Sequence, residues 1–121
     1  MSEPGTKTID VLILGTQYVI HMDVPEKDDP MLKSCAGYCD YTSHRIVICR
    51  KEENDDIDDF REYQKRVVRH EIIHAFLFES GLGKDAVWWA VDNQTHPEQM
   101  VDWMARQFPK MLKAFEQADA I

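Results

Sequence analysis

The sequence predicts an α+β fold in which a small β-sheet from the N-terminal half packs against two helices. Apolar runs with a β-strand pattern are confined to the first half of the 121-residue chain, whereas helical periodicity dominates the second half. Strands that precede helices, instead of alternating with them, are typical of this class. The length, together with the absence of internal repeats and low-complexity segments, favours a single domain over residues 1–121.

The sheet is predicted to contain three or four strands. Residues 9–14 (IDVLIL) and 18–22 (YVIHM) form either an early strand pair or one strand with a bulge at Gly15. Residues 36–40 and 45–49 flank the polar segment YTSH, which is turn-like. We therefore predict a β-hairpin there.

A first helix is predicted over residues 60–80. Its apolar positions recur every three or four residues, and two glycines, Gly81 and Gly83, follow its end. An acidic segment precedes it and suits the positive end of the helix dipole, with Asp55, Asp56 and Asp58 as candidate N-cap residues. Five apolar side chains are expected to supply most of its packing: Ile72, Ile73, Phe76, Leu77 and Phe78.

A second helix is predicted over residues 95–120, where apolar positions again follow helical spacing. Pro109 falls inside this pattern. Because proline lacks a backbone N–H and its ring crowds the preceding turn, we expect a kink or a break near Phe108.

Composition excludes several function classes. The net charge of −8 gives no electrostatic support for nucleic-acid binding or for attachment to an anionic membrane surface. No apolar run approaches the roughly 20 residues that a membrane-spanning helix needs. The first ten residues, MSEPGTKTID, lack the apolar core of a signal peptide, so a cytoplasmic location is expected.

The chain has three cysteines, Cys35, Cys39 and Cys49. An odd number without a secretion signal favours free thiols in a reducing compartment. The spacing of Cys35 and Cys39 is not the CxxC spacing of a zinc ribbon. A pair between Cys39 and Cys49 across the hairpin remains an alternative.

The segment His70-Glu71-Ile72-Ile73-His74 fits the pattern H-E-x-x-H. Residues four apart share one face of a helix, so two imidazoles can occupy adjacent corners of a zinc tetrahedron. Glu71 is turned about 100° around the helix axis from His70. It can therefore reach a metal-bound water, as a general base, without being a ligand itself. This is the arrangement that a zinc hydrolase needs.

Catalytic zinc usually has three protein ligands, so a third is missing from the motif. Glu79 is the nearest downstream ligand type, but its position on the helix would point it away from the histidine pair. The ligand is therefore expected from the second helix. Spacing alone leaves Glu98, His96 and Asp102 open, and Glu98 could instead belong to a capping box at the start of that helix.

These motifs resemble those of the small gluzincin metallopeptidases, closest to the ImmA/IrrE type and to related short phage-type metallopeptidases. In that family a downstream helix carries a glutamate ligand, then Asn or Asp, and then an apolar-Ala pair. The segment EQMVDWMA, residues 98–105, has this shape, and the resemblance extends over about residues 36–109. Ile73 stands where many relatives have glycine, and no DNA-binding region accompanies the motif.

The resemblance implies a zinc-dependent peptidase. It implies His70, His74 and Glu98 as zinc ligands and Glu71 as the general base, with a peptide or protein as substrate. Asp102 would be a group behind the ligands, one turn after Glu98, that orients a ligand histidine. His96 stays open as an alternative ligand from the spacing alone.

Two other readings stay open at this point. One is a metal-stabilised regulatory or interaction module, of a phage or mobile element, with little or no turnover. A fourth protein ligand, such as Cys39, His44 or His96, would favour this module. The other is a hydrolase of non-peptide amides, because zinc-assisted hydrolysis serves any amide.

Residues that could stabilise the oxyanion or line a cleft are harder to assign from the sequence. Four side chains could supply the electrophile: Tyr38, Tyr41, His44 and Tyr63. Trp88 and Trp89 are expected to pack on the first helix or to line a substrate cleft.

Overall fold

The computed structural model describes residues 7–82 and 98–121 and confirms the predicted α+β class. A four-stranded mixed sheet in the N-terminal half is followed by two helices. The elements are β1 (Lys7–Ile13), β2 (Thr16–Val24), a 3₁₀ turn (Pro30–Lys33), β3 (Gly37–Asp40), β4 (Arg45–Cys49), α1 (Phe60–Glu79) and α2 (Glu98–Gln117).

The spatial order of the strands is β1-β2-β4-β3. The hairpins β1–β2 and β3–β4 are antiparallel, as predicted, whereas β2 and β4 pair in parallel in the middle of the sheet. This order makes β3 an edge strand, and β3 lies beside α1.

The first hairpin is closed by a two-residue turn at Leu14 and Gly15, with φ of 50° and 88°. Positive φ at both positions matches a type I′ turn, whose twist suits two antiparallel strands. The alternative of one strand bulged at Gly15 is therefore wrong. The irregularity in β2 lies between His21 and Val24, where Asp23 has a φ of 57°.

The second hairpin fixes the positions of the cysteines. Cys39 is paired with Ile46, so the predicted alternative of a cross-strand pair with Cys49 does not form. Cys35, Cys39 and Cys49 are all free thiols.

One face of the sheet and α1 enclose the core. Its buried members come from β1, β2, β4 and α1: Ile13, Tyr18, Ile20, Met22, Ile46, Ile48, Val67 and Ala75. The residues from α1 in this set lie eight apart, two turns along the same face of the helix.

The predicted start and packing of α1 need correction. Its N-cap is Asp59, whose carboxylate accepts a hydrogen bond from the Glu62 amide at 3.1 Å, and not Asp55, Asp56 or Asp58. Asp59 directly precedes the first helical residue, which is where an N-cap must lie.

The buried side chains of α1 are mostly not the apolar ones expected. They are Gln64, Val67, Glu71, His74 and Ala75, whereas Phe76 is 42% exposed. The helix is therefore rotated so that part of its HExxH segment, and not the neighbouring phenylalanine, faces inward.

Close contact between α1 and β3 depends on the absence of a side chain at Gly37. A Cβ atom there would lie 2.9 Å from the Val47 carbonyl oxygen, 3.0 Å from Val67 Cγ1 and 3.1 Å from Ile48 Cδ1. Real Cβ contacts are longer, so any larger residue would push the helix or the hairpin outward.

Polar contacts fix both ends of α1 on the sheet. Near its start, the buried Gln64 amide donates to the Asp23 carboxylate at 2.7 Å and to the Cys49 carbonyl at 3.0 Å. At its end, Glu79 accepts hydrogen bonds from Thr16 at 2.9 Å and from Tyr18 at 2.7 Å. Glu79 therefore points away from the histidines, as the sequence predicted.

Helix α2 runs without interruption through Pro109, so of the predicted kink or break near Phe108 the break is wrong. Proline leaves the Ala105 carbonyl without its usual amide donor, since residue 109 would supply it. The Arg69 guanidinium of α1 donates to this carbonyl instead, at 2.6 Å from Nε to O. The contact satisfies a buried acceptor and joins the two helices.

Within residues 7–82 and 98–121, no helix is long and apolar enough to cross a membrane.

We expect Gly37→Ala to destabilise the protein by about 1–3 kcal/mol, the usual range for overpacking a close contact. Urea unfolding followed by circular dichroism would measure the loss. A variant whose unfolding midpoint matches the parent protein would show that α1 does not need the close approach.

We expect Arg69→Met to lower the free energy of unfolding by about 1–3 kcal/mol, because it leaves a buried carbonyl unsatisfied. The loss should be smaller in a Pro109→Ala background, where the residue 109 amide can bond to the same oxygen. A double-mutant cycle by urea unfolding measures this coupling. Equal losses in the free energy of unfolding in both backgrounds would mean that the contribution of Arg69 does not depend on Pro109.

Candidate metal centre

Helices α1 and α2 bring His70, His74 and Glu98 together. His70 Nε2 lies 3.1 Å from Glu98 Oε2, and His74 Nε2 lies 2.7 Å from Glu98 Oε1. The two imidazole centroids are 5.0 Å apart, as expected for residues one helical turn apart. Glu98 is the first residue of α2, so its carboxylate projects from the helix start toward α1.

The donor set fits a divalent metal ion. One ligand atom from each of these side chains lies within 4.8 Å of the others. Atoms that share a tetrahedral ion at about 2.1 Å lie about 3.4 Å apart, so small side-chain adjustments would suffice. Two imidazoles and one carboxylate form a typical donor set of catalytic zinc.

Of the alternatives for a third ligand, the structure places Glu98 nearest the histidine pair among the described residues. Asp102 is outside the three-residue cluster, with Oδ1 3.6 Å from His70 Nδ1. This position, on the far side of the imidazole from Glu98, suits a group that orients His70. Arg106 Nε donates a hydrogen bond to Asp102 Oδ2 at 2.7 Å. His96 lies outside the described residues.

The charges at the centre stabilise one another. Hydrogen bonds with His70 and His74 hold the pKa of Glu98 well below its usual range. Burial acts to lower the pKa of His70, but its hydrogen bond with Glu98 and the charges of Glu71, Glu98 and Asp102 outweigh this, so that the pKa is raised. Glu98 is thus ionised over the physiological pH range, as a metal ligand must be.

Glu71 is buried beside the histidines, with only 7% of its surface exposed. Burial raises its pKa, although the neighbouring His74 and His70 act to lower it. Burial and then the charge of Glu71 raise the pKa of the Cys39 thiol on β3 to about 12. A carboxylate with a raised pKa is suited to accept and return a proton near neutral pH.

A cleft of about 230 Å³ opens in front of these groups. Its walls come from the segment before β3, from α1 and from the start of α2, and they include Cys35, Ala36, Gly37, Tyr63, Arg66, Val67, His70, Glu71, Glu98 and Asp102. Arg66 and Gly37 were not among the predicted site residues. The position of Arg66, one turn before His70, was a usable signal, since residues four apart share a helix face.

Of the four residues considered as electrophiles, Tyr63 lines the cleft. Each of the others is engaged elsewhere: Tyr38 donates a hydrogen bond to Asp29, Tyr41 stacks on Phe78 with centroids 4.4 Å apart, and His44 lies 5.2 Å from the Tyr18 ring. Trp88 and Trp89 lie outside the described residues.

Comparison of the chain with protein-family models, with curated proteins and with solved structures gives no match. The resemblance to the gluzincin metallopeptidases therefore rests on the short motifs alone and remains a prediction.

We expect the purified protein to bind about one zinc ion per chain, and Glu98→Ala to weaken binding far more than His96→Ala. Loss of a ligand removes a metal bond, and loss of the partner that orients one, as in Asp102→Ala, should weaken binding by about 10–100-fold. Titration of metal-stripped protein against a zinc-sensitive dye measures each affinity.

Glu116→Ala, also on α2 but exposed and away from the cluster, is the matched control and should bind zinc normally. The opposite order for Glu98 and His96 would reassign the third ligand. Absence of zinc binding in the parent protein would rule out the metal site.

Proposed function

We propose that the chain is a zinc-dependent metallopeptidase that hydrolyses peptide bonds in a peptide or protein substrate. The observation that carries this proposal is the meeting of His70, His74 and Glu98 beside the buried Glu71, at a cleft that His70, Glu71 and Glu98 line. A structural zinc site is usually closed by four protein ligands, whereas a catalytic one keeps a position open. Within the described residues the cluster has three members.

His70, His74 and Glu98 would hold the metal. When bound, zinc acts as a Lewis acid that lowers the pKa of water and polarises a carbonyl group. The chain fixes this donor set through α1 and α2, and Asp102 restrains the far nitrogen of His70. The two imidazoles are shielded, with 17% and 10% of their side-chain surfaces exposed, so water has restricted access to them.

Glu71 would carry the proton transfers. Its ionised carboxylate takes a proton from the attacking water and later gives it to the nitrogen of the leaving amine, so that the peptide C–N bond breaks and the proton count balances. A raised pKa makes the return step easier, because the protonated carboxyl is less unfavourable at neutral pH.

The edge strand beside the cleft supports an extended substrate. Gly37, the first residue of β3, lines the cleft, and β3 pairs with β4 on one side of the sheet. A peptide in extended form can bind to a strand edge through main-chain hydrogen bonds. We propose that the substrate lies along this side of the cleft.

We place the protein in the cytoplasm. All three of its thiols are free, which fits a reducing compartment.

We expect Glu71→Gln to retain zinc and lose at least about 100-fold in kcat, because the amide cannot accept the proton. Cleavage of a peptide library, followed by mass spectrometry, measures activity, and the dye titration measures zinc.

Glu79→Gln, the same change at a carboxylate on the same helix but outside the cleft, is the control and should remain active if folded. Unchanged activity in Glu71→Gln would exclude this residue as the base. Zinc binding without cleavage of any peptide by the parent protein would favour the non-catalytic module or another amide as substrate.

A further inference from the structure

We propose that Arg66 binds a carboxylate of the substrate, so that the preferred peptides carry a free carboxylate close to the scissile bond. The group would be either the C-terminal carboxylate or an acidic side chain. This inference rests on the proposed function, because it concerns substrate selection in the same cleft.

The position of Arg66 allows it to contact a substrate bound in the cleft. It lies one turn before His70 on α1, and its side chain lines the cleft together with His70, Glu71 and Glu98. Because residues four apart share a helix face, Arg66 and His70 face the same space. A substrate whose scissile bond lies at the centre would extend toward the guanidinium in one of its two directions.

The Arg66 guanidinium has no hydrogen-bonded acceptor among the described residues, whereas Arg69 and Arg106 each have one. Arg69 donates to the Ala105 carbonyl and Arg106 to the Asp102 carboxylate. Over residues 7–82 and 98–121, no carboxylate lies within the 4.0 Å ion-pair limit of Arg66. Its described contact is with the ring of Tyr63, 5.2 Å from the guanidinium carbon to the ring centroid.

That contact orients the guanidinium and leaves its edges available. A cation held over an aromatic face is attracted by the ring, while its N–H groups lie in the guanidinium plane. Tyr63 is itself supported by the ring of Phe60, with centroids 5.8 Å apart. An arginine restrained in this way loses little side-chain freedom when it forms a two-point hydrogen bond with a carboxylate.

The surrounding charge explains why an anionic group would need Arg66. Glu71, Glu98 and Asp102 give the cleft wall a negative character, and the Asp102 charge is offset by the ion pair with Arg106 and, at longer range, by Arg66. Among the described residues that line the cleft, Arg66 carries the permanent positive charge. A metal ion at the centre would be occupied by the scissile carbonyl, so a separate carboxylate of the substrate would be attracted to the guanidinium and repelled by Asp102.

The test is a selection for binding, carried out on zinc-loaded Glu71→Gln protein so that bound peptides are not consumed. Four matched peptide pools are offered: free acids and C-terminal amides, each with and without Asp and Glu. Bound peptides are separated by size exclusion and identified by mass spectrometry. We expect about tenfold or greater enrichment of carboxylate-bearing peptides, in line with charge-assisted hydrogen bonds.

Adding Arg66→Gln should abolish the enrichment while zinc affinity stays unchanged, and Arg66→Lys should restore part of it. Lys65→Gln, which removes the same charge at the next residue, is the control and should keep the enrichment; Lys65 is exposed and pairs with Glu62 at 3.9 Å. Preference for the free-acid pools identifies the C-terminal carboxylate, and preference for the Asp- and Glu-containing pools identifies a side chain.

Equal recovery from all four pools, or enrichment that survives Arg66→Gln, would overturn the proposal. Cleavage assays on the parent protein separate this result from the function itself. Active enzyme without a carboxylate preference refutes the role of Arg66 alone. An equal loss of kcat for all pools in Arg66→Gln would also refute it and would assign the guanidinium to the oxyanion. A carboxylate preference in binding without any cleavage refutes the peptidase proposal instead.

Discussion

The close approach of α1 to the edge strand β3 is the constraint on which the other features depend. Gly37 permits it, because a Cβ atom there would lie 2.9 Å from the Val47 carbonyl oxygen. Gln64 and Glu79 then fix the two ends of the helix to the sheet through hydrogen bonds. Because its distance from β3 and the positions of both its ends are fixed, α1 can adopt only one orientation about its own axis. That orientation buries Glu71 and leaves His70 and His74 in contact with Glu98 of α2, so packing would set the division between the proposed base and the proposed ligands.

The second helix depends on α1 in turn. Pro109 deprives the Ala105 carbonyl of its intrahelical donor, and Arg69 supplies a donor from α1. A residue that would normally interrupt a helix thereby creates an acceptor that fixes α2 against its neighbour. Glu98 at the start of α2 meets the histidine pair at the other end of the same interface. The two contacts act at separate points along α2, so both its position and its direction on α1 are defined.

Much of this arrangement could be predicted from the sequence because it follows from local patterns. The hairpin at residues 37–49, the extent of α1 and the shared face of His70 and His74 all depend on short-range periodicity. The parallel pairing of β2 with β4 and the burial of Gln64 could not be predicted, because they depend on which segments meet in space. The same limit kept Glu98, His96 and Asp102 open as ligands: spacing shows that a helix can return, but packing decides which of its residues faces the histidines. Pro109 misled the prediction because the compensating donor, Arg69, is distant in the sequence.

The attachment of α2 has a thermodynamic consequence. Among the elements of the described chain, α2 packs chiefly on α1, and its covered side chains are few, with Val101 and Ala105 as the buried ones. An ion held by His70, His74 and Glu98 would act as a cross-link between the two helices. Any ligand that binds only the docked form favours it by mass action, by about 2.7 kcal/mol when the free metal is 100 times its dissociation constant. The concentration of available metal would then set how much of the protein has a complete cleft, so that the ion would govern assembly of the site as well as its chemistry.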